Sequence, residues 1–185
     1  MLFHIFSLLV HALAGLVAGT CLLRLYMQWQ RINLSLRSGN PLAPFIFAMT
    51  NWLIMPLRRV VPALGRLDTA SLLAAWLVIA AKLVLLSLAA GVVPNGVMLL
   101  GACVFELLNL SISGLVWLVM AYAVLSWMRA GSDVAYFLAQ LVEPLLRPIR
   151  RVLPLIGGVD LSPLALLLVL QVLEIVLRGL QIPLI

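Results

Sequence analysis

Charged side chains are scarce in this sequence of 185 residues. They account for 10% of the chain, whereas hydrophobic residues account for 65% and the mean hydropathy is +1.21. A soluble domain carries about 25% charged and about 45–50% apolar residues. A chain of this length cannot bury so much apolar surface in water, so a soluble fold is excluded. We predict an all-α integral membrane protein.

Other features that the sequence lacks exclude further classes of protein. Six acidic residues against twelve basic ones give a net charge of +6, but no basic stretch has the length or interleaved aromatics of a nucleic-acid groove. The two cysteines, Cys21 and Cys103, have no metal-ligand spacing, and we interpret them as small buried hydrophobes. Because no catalytic, phosphate-binding or dinucleotide-binding arrangement occurs, we expect no catalytic residues, metal or cofactor, and predict a non-enzymatic protein.

Long apolar runs dominate what remains. A membrane span takes about 20 residues, and four stretches reach that length, at about 3–27, 69–90, 97–128 and 161–180. The first ends in Arg24, Tyr26 and Trp29, a pattern typical of the membrane interface. Two shorter apolar stretches, about 42–55 and 133–146, are predicted to be interfacial helices on the inner leaflet.

Basic residues predict the orientation of these spans. Ten of the twelve lie at or between spans one and two or spans three and four, whereas residues 91–96 carry no charge. By the positive-inside rule, the loops 28–68 and 129–160 are cytoplasmic and both termini face outward. We therefore predict a multi-pass protein of the cell inner membrane.

One polar motif occurs twice. Residues 56–68 read PLRRVVPALGRLD, and residues 148–160 read PIRRVLPLIGGVD. The offset of 92 residues divides the chain into a first repeat, 1–92, and a second repeat, 93–185. Each repeat is predicted to contain a transmembrane helix, an interfacial helix, a Pro/Arg turn and a second transmembrane helix. Because each has an even number of spans, the repeats are parallel.

The motif has the residues of a turn that links two helices. Prolines interrupt a regular helix, glycine permits a turn with positive φ, and aspartate is a favoured N-cap. We therefore expect the interfacial helices to end at the first prolines and the next spans to start at the aspartates. The residues with these structural roles are Pro56, Pro62, Gly65, Asp68, Pro148, Pro154, Gly157 and Asp160.

Arginines give the motif its charge. One interpretation is that they only fix orientation and anchor the turns to anionic lipid, which is worth about 1 kcal/mol per residue. The alternative is a basic site for a lipid phosphate, an anion or an acidic segment of a partner. The residues concerned are Arg58, Arg59, Arg147, Arg150 and Arg151.

Four charges lie within the predicted spans: Lys82, Glu106, Glu174 and Arg178. Such residues usually face the protein interior and find a partner. Lys82 and Glu174 are 92 residues apart, so they occupy equivalent depths, and we predict that they pair. Glu106 and Arg178 could join or compete, and Lys82 could instead extend to the outer surface.

The doubled motif, preceded in its second copy by EPLLRP (143–148) and followed by DLSP (160–163), resembles the YggT family in its two-repeat bacterial form. The resemblance implies a small inner-membrane protein linked to osmotic stress and potassium uptake, with some members encoded near cell-division genes. Plastid relatives are tied to the assembly of membrane complexes. The first copy departs from the pattern, with NWLIM (51–55) where the second has EPLLR, which favours the second repeat as the working one.

Two functions are therefore expected. The first is an adaptor or assembly factor for envelope or osmotic stress, whose basic turns bind anionic lipids, an unidentified membrane-protein partner or a second copy of the chain. The alternative is a component or accessory of an ion (potassium) transport system, formed around the intramembrane charges. Because four spans make a thin wall for a pore, transport would require an oligomer.

Overall fold

A computed structural model of the chain describes residues 1–32, 34, 40–61, 68–93, 95–128, 132–153 and 160–181. This part of the chain is helical and contains no strand. The six helices are α1 (Leu2–Trp29), α2 (Ala43–Val60), α3 (Thr69–Ala89), α4 (Gly96–Trp127), α5 (Asp133–Arg150) and α6 (Ser162–Gln181). Four of them, α1, α3, α4 and α6, are long and apolar enough to cross a membrane. The all-α prediction and the four apolar spans are confirmed.

Contacts divide the chain into two compact units. One comprises Met1–Ser111 with the C-terminal end from Leu180, and the other comprises Ile112–Gly179. The boundary falls inside α4, whereas the predicted repeats meet at 92/93. The predicted repeats describe a correspondence of sequence, which a division by contacts does not test.

Small side chains form the core of the first unit. Helix α1 packs against α3, and α2 contacts both. The buried residues of this core are Ala18, Cys21, Ile54, Ala70, Ala74, Ala75, Ile79 and Cys103. Small residues let helix backbones approach closely, which replaces the hydrophobic driving force that is missing between helices in lipid. The cysteines are free and buried, as the sequence predicted.

Larger aliphatic side chains form the core of the second unit. The end of α4 supplies Ile112 and Val119, α5 supplies Val142 and Leu146, and α6 supplies Leu166 and Leu170. Helix α5 is amphipathic, because these and its other buried residues lie on one face. Tyr136 lies on the other side of α5 and is 78% exposed.

The exposed face of α2 is more apolar than that of α5. Trp52 and Met55 are exposed on α2, where the equivalent residues of α5 are Pro144 and Arg147. The indole N–H of Trp52 donates to the carbonyl oxygen of Met49 at 2.8 Å, within its own helix. The indole N–H of Trp52 is therefore satisfied without water.

Helices α1 and α3 end in the same way. After α3, Gly91 has φ +74°, its N–H donates to the Leu88 carbonyl, and the Val92 N–H donates to the Ser87 carbonyl. These paired bonds form a Schellman cap, which glycine favours because it has no Cβ. The cap agrees with the predicted end of the second span at about residue 90. After α1 the same position is occupied by Arg31, with φ +59°.

The first prolines of the motif do not end helices α2 and α5. Helix α2 continues past Pro56 to Val60, and α5 contains both Pro144 and Pro148 and continues to Arg150. The predicted ends at 55 and 146 are therefore wrong. An interior proline removes one hydrogen bond and costs about 3 kcal/mol. Here the last turns are held by arginine side chains that make ion pairs. Pro62, Gly65, Pro154 and Gly157 lie outside the described residues.

The aspartates lie at the start of the next helices. Asp68 occupies the N-cap position of α3, but its carboxylate accepts from the Ser71 hydroxyl at 2.6 Å instead of a backbone N–H. Helix α6 begins at Ser162, two residues after Asp160, and Asp160 Oδ1 accepts from the Ser162 backbone N–H at 2.9 Å. Both aspartates therefore mark a helix start, by different bonds.

Candidate functional site

In both copies of the motif the first arginine binds the aspartate. Arg58 Nη2 lies 2.6 Å from Asp68 Oδ2, and Arg150 Nη2 lies 2.8 Å from Asp160 Oδ2. Each pair joins the end of one helix to the start of the next, across ten residues of sequence. The pair therefore fixes the turn, whichever interpretation of the arginines holds.

Asp68 is surrounded by a set of polar residues that we call the first-copy cluster: Arg24, Thr50, Asn51, Arg58, Asp68 and Ser71. Arg24, on α1, is only 4% exposed. Its Nη1 donates to Thr50 Oγ1 and to Asn51 Oδ1, both at 2.8 Å. Its guanidinium carbon lies 5.1 Å from the centre of the Phe47 ring. All of its direct acceptors among the described residues are neutral, although the charges of Arg58 and Asp68 also act on it.

Asp160 belongs to a different set, the second-copy cluster: Tyr122, Glu143, Arg150 and Asp160. Arg150 Nε donates to Asp160 Oδ2 at 2.9 Å, and Nη2 lies 2.8 Å from the same oxygen. Nη1 donates to Glu143 at 2.5 Å, and Nη2 donates to the Tyr122 hydroxyl at 3.0 Å. Every guanidinium nitrogen of Arg150 thus has a partner. Glu143 is equivalent to Asn51 of the first-copy cluster, so a carboxylate stands where the first copy has an amide.

These contacts shift the acid–base equilibria at the turns. Burial raises the pKa of Asp68, but hydrogen bonds from Arg58 and Ser71 and the charge of Arg58 outweigh it and leave that pKa below its usual value. The pKa of Asp160 is lowered in the same way, with burial opposed by Ser162 and Arg150. Burial lowers the pKa of Arg150, but the contacts with Asp160 and Tyr122 raise it by more, so that this pKa lies above its ordinary value. Both pairs are therefore charged at neutral pH.

The other arginines of the motif remain exposed. Arg59, Arg147 and Arg151 make no hydrogen bond or ion pair among the described residues, and all three side chains are exposed. Of the five arginines predicted to bind lipid or a partner, two are thus engaged by aspartates and three are open. Binding by the three stays a prediction.

The intramembrane charges pair differently from the prediction. Lys82, on α3, donates to Glu106, on α4, at 2.5 Å, and its side chain is 5% exposed. Glu174 pairs with Arg178 one turn further along α6, also at 2.5 Å. The predicted Lys82–Glu174 pair is wrong, because each residue has a closer opposite charge in its own unit. Equivalent depth in two repeats does not bring two side chains together.

Sequence reasoning missed part of both clusters. Arg24 was interpreted as an interfacial anchor, whereas it is buried against Thr50 and Asn51. Tyr122 gave no signal, because it lies in an apolar span. A span that carries an arginine five residues before its end is the feature that could have drawn attention to Arg24. Among the described residues no group of three His, Cys, Asp or Glu side chains could hold a metal ion.

A family model described as CCB3/YggT matches the chain twice, over residues 3–89 and 102–181. The chain belongs to the CCB3/YggT family. The two matched segments correspond to the two copies of the motif, so the resemblance drawn from the doubled arginines is confirmed.

Relatives from several bacteria match over most of their length. The protein YggT of Escherichia coli (strain K12) is 37% identical over 171 residues, which cover 91% of this chain and 86% of that one. A protein encoded in the proC 3′ region of Vibrio alginolyticus is 36% identical and covers 89% of each chain. Protein PA0392 of Pseudomonas aeruginosa is 32% identical over 170 residues. None of these names states an activity, and no solved structure matches the chain.

Proposed function

We propose that this CCB3/YggT protein is a non-enzymatic adaptor or assembly factor of the cell inner membrane. The exposed arginines at the ends of α2 and α5 are the observation that carries the proposal. Arg59, Arg147 and Arg151 have no partner among the described residues, while the neighbouring arginine of each copy is bound to an aspartate. An arginine fork binds carboxylates and phosphates in two-pronged fashion, so these side chains suit an acidic partner segment or anionic lipid headgroups.

The proposal includes a topology. Helices α1 to α3 and α4 to α6 are two parallel repeats, each with two membrane spans and one interfacial helix. The basic loops 28–68 and 129–160 face the cytoplasm, and both termini face outward. The amphipathic α5 lies at the headgroup level, and α2, whose exposed face bears Trp52 and Met55, lies deeper. Cysteine labelling from either side of the membrane tests this arrangement.

A role in osmotic or envelope stress is proposed from the family resemblance. We expect loss of the chain to reduce growth at high osmolarity, and Arg147→Gln with Arg151→Gln to reproduce that loss. Arg147→Gln and Arg151→Gln are also made singly, and Arg178→Gln is the control for each, because it removes one exposed positive charge outside the motif.

Crosslinking identifies what the arginines contact. A photoreactive residue at Val152, which is 81% exposed beside Arg151, should capture a membrane-protein partner, a second copy of the chain or lipid in living cells. The capture should decrease when Arg147 and Arg151 are neutralised. Capture that is unchanged by those substitutions contradicts a role for the basic turn.

The second candidate function is a component or accessory of ion transport, potassium being the ion that the resemblance favours. It is favoured by one observation, the Lys82–Glu106 pair inside helices long enough to span a membrane. Buried intramembrane charges are expensive and often mark ion or proton pathways. On this proposal potassium flux into liposomes depends on Glu106, and Glu106→Gln abolishes it. An adaptor tolerates Glu106→Gln but fails without Arg147 and Arg151.

A further inference from the structure

We propose that the first-copy cluster binds a phosphate group, held by Arg24 and Arg58. The group comes either from an anionic phospholipid headgroup or from free phosphate. This site is separate from the exposed arginines of the proposed function, and it lies in the repeat that the sequence pattern did not favour.

The first-copy cluster carries more positive than negative charge. Arg24 and Arg58 bring two positive charges, and Asp68 is the one carboxylate among them. Arg24 is 4% exposed, yet none of its hydrogen-bond partners carries charge. A charge removed from water is costly unless it is both paired and hydrogen-bonded. A bound anion would neutralise the excess.

Arg24 also has an N–H donor that bonds to no acceptor among the described residues. Both hydrogen bonds of Arg24 use Nη1, and its buried Nε has no partner among the described residues. The Nε–Nη2 edge therefore makes no hydrogen bond among the described residues. This is the edge through which a guanidinium group binds phosphate in a two-pronged contact. Arg58 is also incompletely used, because only its Nη2 bonds to Asp68 and its side chain is 44% exposed.

In the second-copy cluster, by contrast, every guanidinium nitrogen of the arginine has a partner. Arg150 has two carboxylates and a hydroxyl around it, and no nitrogen is left over. Val116 and Val142 stand at the positions equivalent to Arg24 and Thr50, and both belong to the apolar core. Among its described residues the second copy therefore has no buried cation without a carboxylate, and we expect no phosphate site there.

The location fits a phosphate. Arg24 lies five residues before the end of α1, which is about 8 Å along the helix. The same helix end carries Tyr26 and Trp29, and Trp29 is 55% exposed, as in the aromatic belts of membrane interfaces.

Thermal unfolding of the full-length protein in neutral detergent tests the proposal. Dihexanoyl phosphatidylglycerol and inorganic phosphate are titrated separately, each against sodium chloride at equal ionic strength. We expect a saturable rise in Tm with at least one of them, since a ligand that binds the folded state stabilises it. A rise with the lipid alone assigns the site to a headgroup, and a rise with phosphate alone assigns it to the free anion.

Variants distinguish the site from a general effect of charge. Arg24→Gln should raise the half-saturating concentration at least tenfold, and Arg178→Gln should respond like the wild type. If Arg24→Gln does not fold, Asn51→Glu replaces it, because a carboxylate at that position copies Glu143 and neutralises Arg24 without a ligand. This variant should also lose the response.

Two results overturn the proposal. One is a Tm that rises no more than in sodium chloride, and the other is a wild-type response in Arg24→Gln or, if that variant does not fold, in Asn51→Glu. Neither result affects the proposed function, whose crosslinking test depends on Arg147 and Arg151.

Discussion

The two copies of the motif share one ion pair and differ in everything around it. Arg58 and Arg150 each bind the aspartate ten residues further on. In the first copy a second arginine, Arg24, joins the cluster and meets only neutral acceptors. In the second copy an extra carboxylate, Glu143, completes the set of partners around Arg150. The charged members of the first-copy cluster, Arg24, Arg58 and Asp68, thus leave one positive charge in excess, whereas those of the second-copy cluster, Arg150, Glu143 and Asp160, leave one negative charge in excess.

Two copies of one motif can therefore have different local environments. The ion pair is retained because it fixes where one helix ends and the next begins. The residues that set the net charge lie outside the motif, on the preceding helices. A change at Asn51 or Glu143 alters the charge of a cluster without altering the turn.

The largest expected effect comes from removing the two aspartate charges separately. Asp68→Asn leaves Arg24 and Arg58 without a carboxylate, and we expect a loss of about 3 kcal/mol in the free energy of unfolding. Asp160→Asn leaves Arg150 paired with Glu143 at a more exposed site, where about 1 kcal/mol is expected. Denaturation of each variant in detergent measures both values. Equal losses would show that the two clusters are energetically alike.

An intermediate effect is expected from breaking the two ion pairs of the apolar helices, Lys82–Glu106 and Glu174–Arg178. Lys82→Met leaves Glu106 without its cation and should destabilise the chain by about 2 to 3 kcal/mol. Arg178→Gln breaks a pair whose arginine is 65% exposed, and about 0.5 kcal/mol is expected. Thermal unfolding measures both losses. Exchanging the charges, Lys82→Glu with Glu106→Lys, should recover part of the first loss. No recovery would contradict a specific pair.

The smallest expected effect is a change in Tm at acidic pH. The pKa of Asp68 is lower in the folded chain than its usual value, so its stabilising contribution is complete above about pH 4. That contribution is lost as the pH falls through the folded pKa. The Tm difference between the wild type and Asp68→Asn should therefore be constant near neutral pH and shrink below pH 4. Asp160→Asn should show the same trend from a smaller starting difference.

Helix positions were predictable because hydrocarbon thickness and apolar runs are both properties of the sequence. The four spans agree with α1, α3, α4 and α6 to within two residues at each end. The ends of α2 and α5 were not predictable in the same way. Proline propensity favours a break at Pro56 and Pro148, but the arginines beyond them bind aspartates and hold the last turns in the helix.

The ion pairs, too, were only partly predictable from the sequence. The arginines and aspartates of the motif were identified from its repetition, but their pairing in each copy was not. The pairing of Lys82 was predicted from symmetry and proved wrong, because Glu106 on the next helix is its partner. Symmetry of sequence describes equivalent depth, whereas contact depends on which helix faces are turned together.

The sequence by itself determined the apolar class, the number of long apolar helices, the duplication and the family, because each follows from composition or from residues in a fixed order. Only the tertiary structure decided that Arg24 is buried beside Asn51, that every guanidinium nitrogen of Arg150 has a partner and that Lys82 meets Glu106. These facts depend on how helices rotate against one another, and that rotation is set by packing of side chains distant in the chain.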